Sequence, residues 1–262
     1  MTEKYVMLTF DLEEFDIPEE YGQEVSLYDQ LNVTCLGMER LLEVLEKYRI
    51  PATFFTTGNF GRHRPELVRK LSENHEIASH AMYHAPSHAF QESDIGESKR
   101  VLEEITGRPV TGFRMPRLKP FDRGKLPDMG IHYSSCVNPT YLPGRYNSLR
   151  ENPLPGIKEG LMELPCSTVP GFRFPLFWLS FKNLPSGVYN GLCSLTLRSR
   201  KNLMLYYHPW EFADIGGYNL PAYVKNPDGS RLTRKLERLI ESLLAQKAVF
   251  ITCSDFIEML KS

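Results

Sequence analysis

The 262-residue sequence predicts a single, barrel-like α/β domain. Two observations carry that expectation. Short apolar runs rich in strand formers alternate with segments whose apolar residues recur at helical spacing. After a proline-rich interruption the same alternation returns, so the interruption reads as a loop insert at about residues 117–190 within one domain spanning 1–262. Repeated β-α-β units imply parallel strands joined by right-handed crossovers.

Taken in order, Tyr5–Phe10 is the first strand candidate, ending at acidic residues. Gly37–Tyr48 follows as a helix, with Met38, Leu41, Leu42 and Leu45 on one face. Ala52–Thr57 reads as a second buried strand. Pro65 suits an early helical position ahead of Leu67, Val68 and Leu71. Glu76–Ser79 is a third strand, Ser93–Ile105 a third helix and Val110–Phe113 a fourth strand. Twelve of the 19 prolines then fall between Pro109 and Pro185, which leaves little room for long helices. Short strands remain at Ile131–Ser135 and Leu161–Leu164, and Phe172, Phe174, Phe177, Trp178 and Phe181 cluster near the end of the insert. The regular pattern resumes with strand Leu203–Tyr207, helix Arg231–Gln246 and strand Val249–Thr252.

Composition narrows the function classes. Apolar residues make up 42% and charged residues 24%, ordinary for a globular protein. A net charge of -1 implies no general polyanion-binding surface and no nucleic-acid partner. Five scattered cysteines, with no C-x-x-C pair, form neither a disulfide framework nor a zinc-finger pattern, and read as buried free thiols in a reducing compartment. Charges interrupt the N-terminal stretch where a signal peptide needs an apolar core, and no apolar run approaches the length of a membrane span. These features together predict a cytoplasmic protein with no membrane span.

The chemistry-bearing residues sit just after strands, at the end where parallel α/β architectures place their sites. Asp11 and Glu13 are two apart, about 6.5 Å on one face at a rise of about 3.3 Å per residue. They form either an acidic surface turn or one wall of a site. His80 and His84 form an H-x-x-x-H pair. Extended, they would stand about 13 Å apart, too far to share an ion; within a helical turn they approach to about 5–6 Å. The pair therefore requires the chain to coil after Ser79, while His88 reads as surface. Arg114, before Pro116, is either a solvated charge or a partner holding a carboxylate through paired hydrogen bonds. His208 follows an apolar strand and is a candidate proton donor. Singly each signal is weak, but four strands deliver them to the same end.

Six motifs in this order and spacing resemble the polysaccharide deacetylase family, also called the NodB-homology domain or family-four carbohydrate esterases. They are LTFDLEE at 8–14, ATFFTTGNF at 52–60, EIASHAMYH at 76–84, GFRMP at 112–116, YYHPWEF at 206–212 and FITCSDF at 250–256. The resemblance implies a distorted (β/α) barrel of about seven parallel strands and a metal-dependent deacetylase acting on N-acetylated carbohydrate. By position, Asp11 matches the catalytic base, Arg114 the arginine that orients it and His208 the catalytic acid. His80 and His84 match the two histidine metal ligands. Where many members carry a second adjacent aspartate, this chain has Leu12, and Glu13 fits the branch whose ligand lies two positions beyond the base. Many members also have an aspartate before the serines of Tyr133-Ser134-Ser135; Ser134 stands there instead, which leaves the partner of His208 open. Trp178, Trp210 and Pro116 are the candidate substrate-binding residues, and the two-histidine, one-carboxylate set points to a divalent ion, zinc. Two further readings remain beside the deacetylase: hydrolysis of another small amide, formamide or ureide, and a non-catalytic carbohydrate-binding barrel.

Overall fold

The computed structural model describes residues 3–261. Eleven strands are present among them: β1 (Lys4–Leu12), β2 (Thr53–Thr56), β3 (Glu76–Ser79), β4 (Gly112–Phe113), β5 (Tyr133–Ser134), β6 (Tyr141–Leu142), β7 (Tyr146–Asn147), β8 (Gly156–Lys158), β9 (Leu161–Glu163), β10 (Asn202–Tyr207) and β11 (Ala248–Phe250). Nine of them form one curled sheet in the order β10-β1-β2-β3-β4-β5-β9-β8, with β11 beside the first residues of β1. All of its pairings are parallel except β8 with β9. Just beyond β9 the Ser167 N–H donates to the Met204 carbonyl of β10 at 3.0 Å, which brings one end of the sheet back to the other. The hairpin β6–β7 stands apart as a two-stranded sheet. Three strands of the main sheet, β5, β8 and β9, fall within residues 117–190, with that hairpin between β5 and β8.

Alternation along β1 explains how the barrel is filled. Val6, Leu8, Phe10 and Leu12 join the core under the outer helices, while Tyr5 and Met7 join the interior cluster with Phe55, Tyr133 and Met204. The period of two continues past the apolar run, so Thr9, Asp11 and Glu13 extend the inward series. The strand's own pleat thereby delivers two carboxylates to the C-terminal mouth of the barrel.

The helices are α1 (Leu27–Tyr48), α2 (Gly58–His63), α3 (Pro65–Leu71), α4 (Ser93–Thr106), α5 (Trp178–Asn183), α6 (Ser186–Arg200), α7 (Ala222–Lys225), α8 (Gly229–Leu244) and α9 (Cys253–Lys261). The first helix starts ten residues before the expected Gly37. Ser26 caps it, its hydroxyl accepting from the Asp29 N–H at 3.2 Å. Its buried first half uses Gln30, Val33 and Thr34 beside Leu31, which blurs the apolar period. The helix α6 was not anticipated. Gly187 and Gly191 lower its intrinsic preference, yet it buries Tyr189, Cys193 and Leu197 at helical spacing.

Gly37 is where α1 meets the turn Pro209–Phe212 that follows His208. A Cβ there would lie 1.9 Å from the Pro209 carbonyl oxygen, so only glycine lets helix and turn approach this closely. Gly37→Ala should therefore destabilise the protein by about 1–3 kcal/mol, as overpacking does, despite alanine's better helix preference. Thermal unfolding checks this, and an unchanged or higher midpoint would show that the contact yields freely.

Candidate active site

Asp11, Glu13, His84 and His208 line one pocket of about 260 Å³ at the barrel mouth. Asp11, Glu13, His80, His84, Arg114 and His208 are all buried, so the expected convergence of strand ends is present. The acidic pair faces inward and does not form a surface turn.

Arg114 is fully buried. Its Nη1 donates to Asp11 Oδ1 at 2.5 Å, its Nη2 to Thr9 Oγ1 at 3.0 Å and Ser135 Oγ at 2.9 Å, and its Nε to the Ser135 carbonyl at 3.2 Å. The expected paired bonds to one carboxylate are thus replaced by a single bond, because the other donors are spent fixing the guanidinium to β1 and the segment after β5. Phe55 supports it, with the guanidinium carbon 4.0 Å from the ring centre. Asp11 Oδ2 is left facing the Nε2 atoms of His80 and His208, 3.9 Å from each.

His80 and His84 meet as their spacing requires, with ring centres 5.6 Å apart. They do so through a bend and not a helical turn: β3 ends at Ser79 and Ala81 takes a left-handed φ of 57°. Glu13 Oε2 lies 3.2 Å from both Nε2 atoms. The other ring nitrogens are tied down. His80 Nδ1 donates to the Arg114 carbonyl at 2.8 Å, and His84 Nδ1 meets both oxygens of Asp16 at 2.9 Å. That arrangement aims both Nε2 atoms at Glu13. His88, expected at the surface, is half-buried and bonded to Asp94 Oδ2 at 2.8 Å, at the start of α4.

Asp16 and Glu211 are functional neighbours that motif reading left unassigned. Burial alone would lower the pKa of His84, but Glu13 and then Asp16 outweigh it and raise it to about 10. Burial would push Glu13 up, yet His84, His208 and His80 hold its carboxyl well below the usual range. Glu211 answers the open question of what partners His208: its Oε1 accepts from His208 Nδ1 at 3.0 Å and from the His208 backbone N–H at 2.7 Å. Ser134, by contrast, donates to Glu163. His208 is raised above its ordinary value, burial being overcome by Glu13, Glu211 and Asp11. Only the spacing H-x-x-E, with the acid one tight turn after the histidine, could have signalled Glu211.

The candidate substrate residues divide. Trp178 lines the pocket and meets His208 edge-on, with ring centres 5.3 Å apart. Trp210 also lines it but is 2% exposed; it stacks on His208 at 4.9 Å and donates to Glu13 Oε1 at 3.2 Å, so it is a wall that positions the imidazole and the carboxylate. Pro116 is buried at the start of a turn and is not among the residues lining the pocket, which takes Met115 and Arg117 from either side of it. The aromatic cluster divides too: Phe177 lines the pocket, Phe181 lies in the core and Phe172 is 69% exposed.

Residues 1–124 match the family model described as polysaccharide deacetylase. A chitooligosaccharide deacetylase of Sinorhizobium fredii (strain NBRC 101917 / NGR234) is 39% identical over 64 residues, 24% of this chain and 29% of its own length. The match thus spans less than a third of that relative. A crystal structure from Mycobacterium smegmatis, assigned by name to the polysaccharide deacetylases, superposes with a TM-score of 0.68 at 20% identity, covering 98% of this chain and 90% of that one. The PuuE allantoinase structure does so with a TM-score of 0.61 at 15% identity, covering 96% and 88%. The two structures bear on the fold alone, a curled parallel sheet in a single domain. The resemblance drawn from the motifs is borne out.

Glu211→Gln removes a charge that raises His208, so the imidazole should lose its proton at lower pH than in the parent. An NMR titration of the His208 ring measures this, and an unmoved midpoint would mean Glu211 only positions the ring.

Proposed function

We propose that this relative of the polysaccharide deacetylases is a metal-dependent hydrolase that removes the N-acetyl group from an amino sugar. The observation that carries the reading is the meeting of Glu13 Oε2 with the Nε2 atoms of His80 and His84. One ligand atom from each of these residues lies within 4.8 Å of the others. Glu13 Oε2 and His80 Nε2 are buried without a hydrogen-bond partner, which costs roughly 1–3 kcal/mol each unless something binds them. The donor set therefore fits a divalent cation, and two imidazoles with a carboxylate fit zinc. Such an ion, when bound, supplies Lewis acidity to the site.

The protein's own groups fill the remaining roles. Asp11 Oδ2, left free by the Arg114 bond to Oδ1, accepts a proton from the water that attacks the acetamide carbon. His208 gives its proton to the amine nitrogen as the C–N bond breaks, and Glu211 stabilises the charged imidazole from behind. The products are acetate and a free amino sugar. Trp178 and Tyr206 offer aromatic walls to the sugar ring. Of the five cysteines, all free, four are buried, and we place the protein in a reducing, cytoplasmic setting on that basis. Among the described residues no helix is long and apolar enough to cross a membrane.

Elemental analysis should find one divalent ion per chain, and acetate release from N-acetylated sugars should stop in excess chelator. His208→Ala and Asp11→Asn should each lower kcat by about 10²–10⁴-fold, the range for a lost acid or base, with metal content unchanged. Full activity without metal, or wild-type rates in both variants, would overturn the assignment.

A further inference from the structure

The mouth of the pocket is bounded by segments that are linked to one another in a closed circuit. Glu20, on the turn Ile17–Tyr21, holds Arg145 of the β6–β7 hairpin at 2.8 Å and also pairs with Arg117. The hairpin continues the circuit through Leu142, which packs on the cluster of Cys166, Phe177 and Tyr206, where Phe177 is the residue that caps α5. From α5, Asn183 Nδ2 donates to the Tyr223 carbonyl of α7 at 2.8 Å. The last link returns to the starting turn, where the Tyr223 and Tyr21 hydroxyls lie 3.3 Å apart. Each of these segments also contributes to the pocket lining.

A polymer that crosses an active site needs a groove open at two ends. Here the hairpin, turned at Gly144 with a φ of 75°, forms part of the mouth and is latched to the neighbouring turn Ile17–Tyr21, which completes the circuit. The same pocket is lined by Asp11, Glu13 and His208, all of them buried. Its volume of about 260 Å³ lies under the ~300–1,000 Å³ of sites for drug-sized ligands, which leaves room for one acetamido sugar ring.

We infer that the pocket is one-ended: it takes a single N-acylated sugar ring, free or at the end of a chain, and excludes the internal units of a polymer. This rests on the reaction proposed above for its chemistry, but the geometry of the mouth is independent of it. The Arg145–Glu20 pair is the latch. Removing it by Arg145→Ala together with Glu20→Ala frees the hairpin and opens the mouth sideways.

The two tryptophans of the chain, Trp178 and Trp210, both line this pocket, so intrinsic fluorescence reports on it directly. The experiment titrates the metal-loaded protein with N-acetylglucosamine and with its linear pentamer, and maps by mass spectrometry which rings of the pentamer lose acetyl groups. The expected result is quenching by both sugars with affinities within about threefold, since only one ring is contacted, and acetyl loss confined to a terminal ring. In the double variant internal rings should become substrates. Pentamer binding tighter by about tenfold or more, or loss of internal acetyl groups in the parent at the terminal rate, would overturn the one-ended pocket and leave the deacetylase reading standing. Equal quenching with no acetate released from either sugar would support the one-ring pocket and sink the reaction instead. No quenching by either sugar would overturn the inference.

Discussion

Two carboxylates buried side by side at the end of β1 are the constraint to which the rest of the site answers. Asp11 and Glu13 are 5% and 2% exposed, and an uncompensated buried charge costs several kcal/mol. Each therefore has its own partners. Asp11 takes the Arg114 guanidinium from the residue after β4, across β2 and β3, and Glu13 takes the imidazoles that follow β3. Neither arrangement works alone. Arg114 is itself fully buried, and its remaining donors need Thr9 and Ser135, so β1, β4 and the segment after β5 must be in register for the pair to form. Barrel closure and site electrostatics are thus one requirement.

The constraint extends outward by another layer. Imidazoles that compensate Glu13 must be oriented, and each is held by its second nitrogen: His80 by a backbone carbonyl, His84 by Asp16. Asp16 in turn binds Arg117 at 3.1 Å, and Arg117 reaches Glu20 on the pocket rim. On the other side Glu211 orients His208, whose ring stacks on Trp210 and meets Trp178 edge-on. The groups proposed to bind metal, to move protons and to admit the sugar therefore share one network. From Glu20 on the rim to His84 the network runs through three ion pairs.

Much of this was legible in the sequence, for a physical reason. A buried parallel strand is a continuous apolar run, and the residue at which that run turns polar marks the barrel mouth. Glu76–Ser79 was read with the bounds it has in the structure, and Leu203–Tyr207 fell one residue short. Asp11, Glu13, His80, His84, Arg114 and His208 were all located by that rule. What escaped was set by contacts between distant segments. Asp16 lies 68 residues from the histidine it orients. Pro116, placed in the pocket by its motif, is buried beside it because the chain turns there. The sequence leaves the partner of His208 open, because Ser134 stands where many family members carry an aspartate; Glu211, three residues along, folds back to it through a tight turn. The coil that joins His80 to His84 depends on one left-handed residue, Ala81, a type that does not advertise such a conformation.

The central claim is that the carboxylate two positions beyond Asp11 and the two histidines form one ion site. Anomalous diffraction from crystals grown with zinc tests it most directly. The account predicts a single strong peak inside the pocket, about 2.0–2.2 Å from Glu13 Oε2 and from the Nε2 atoms of His80 and His84. A peak held by other residues, or none at a zinc concentration that supports activity, would contradict it.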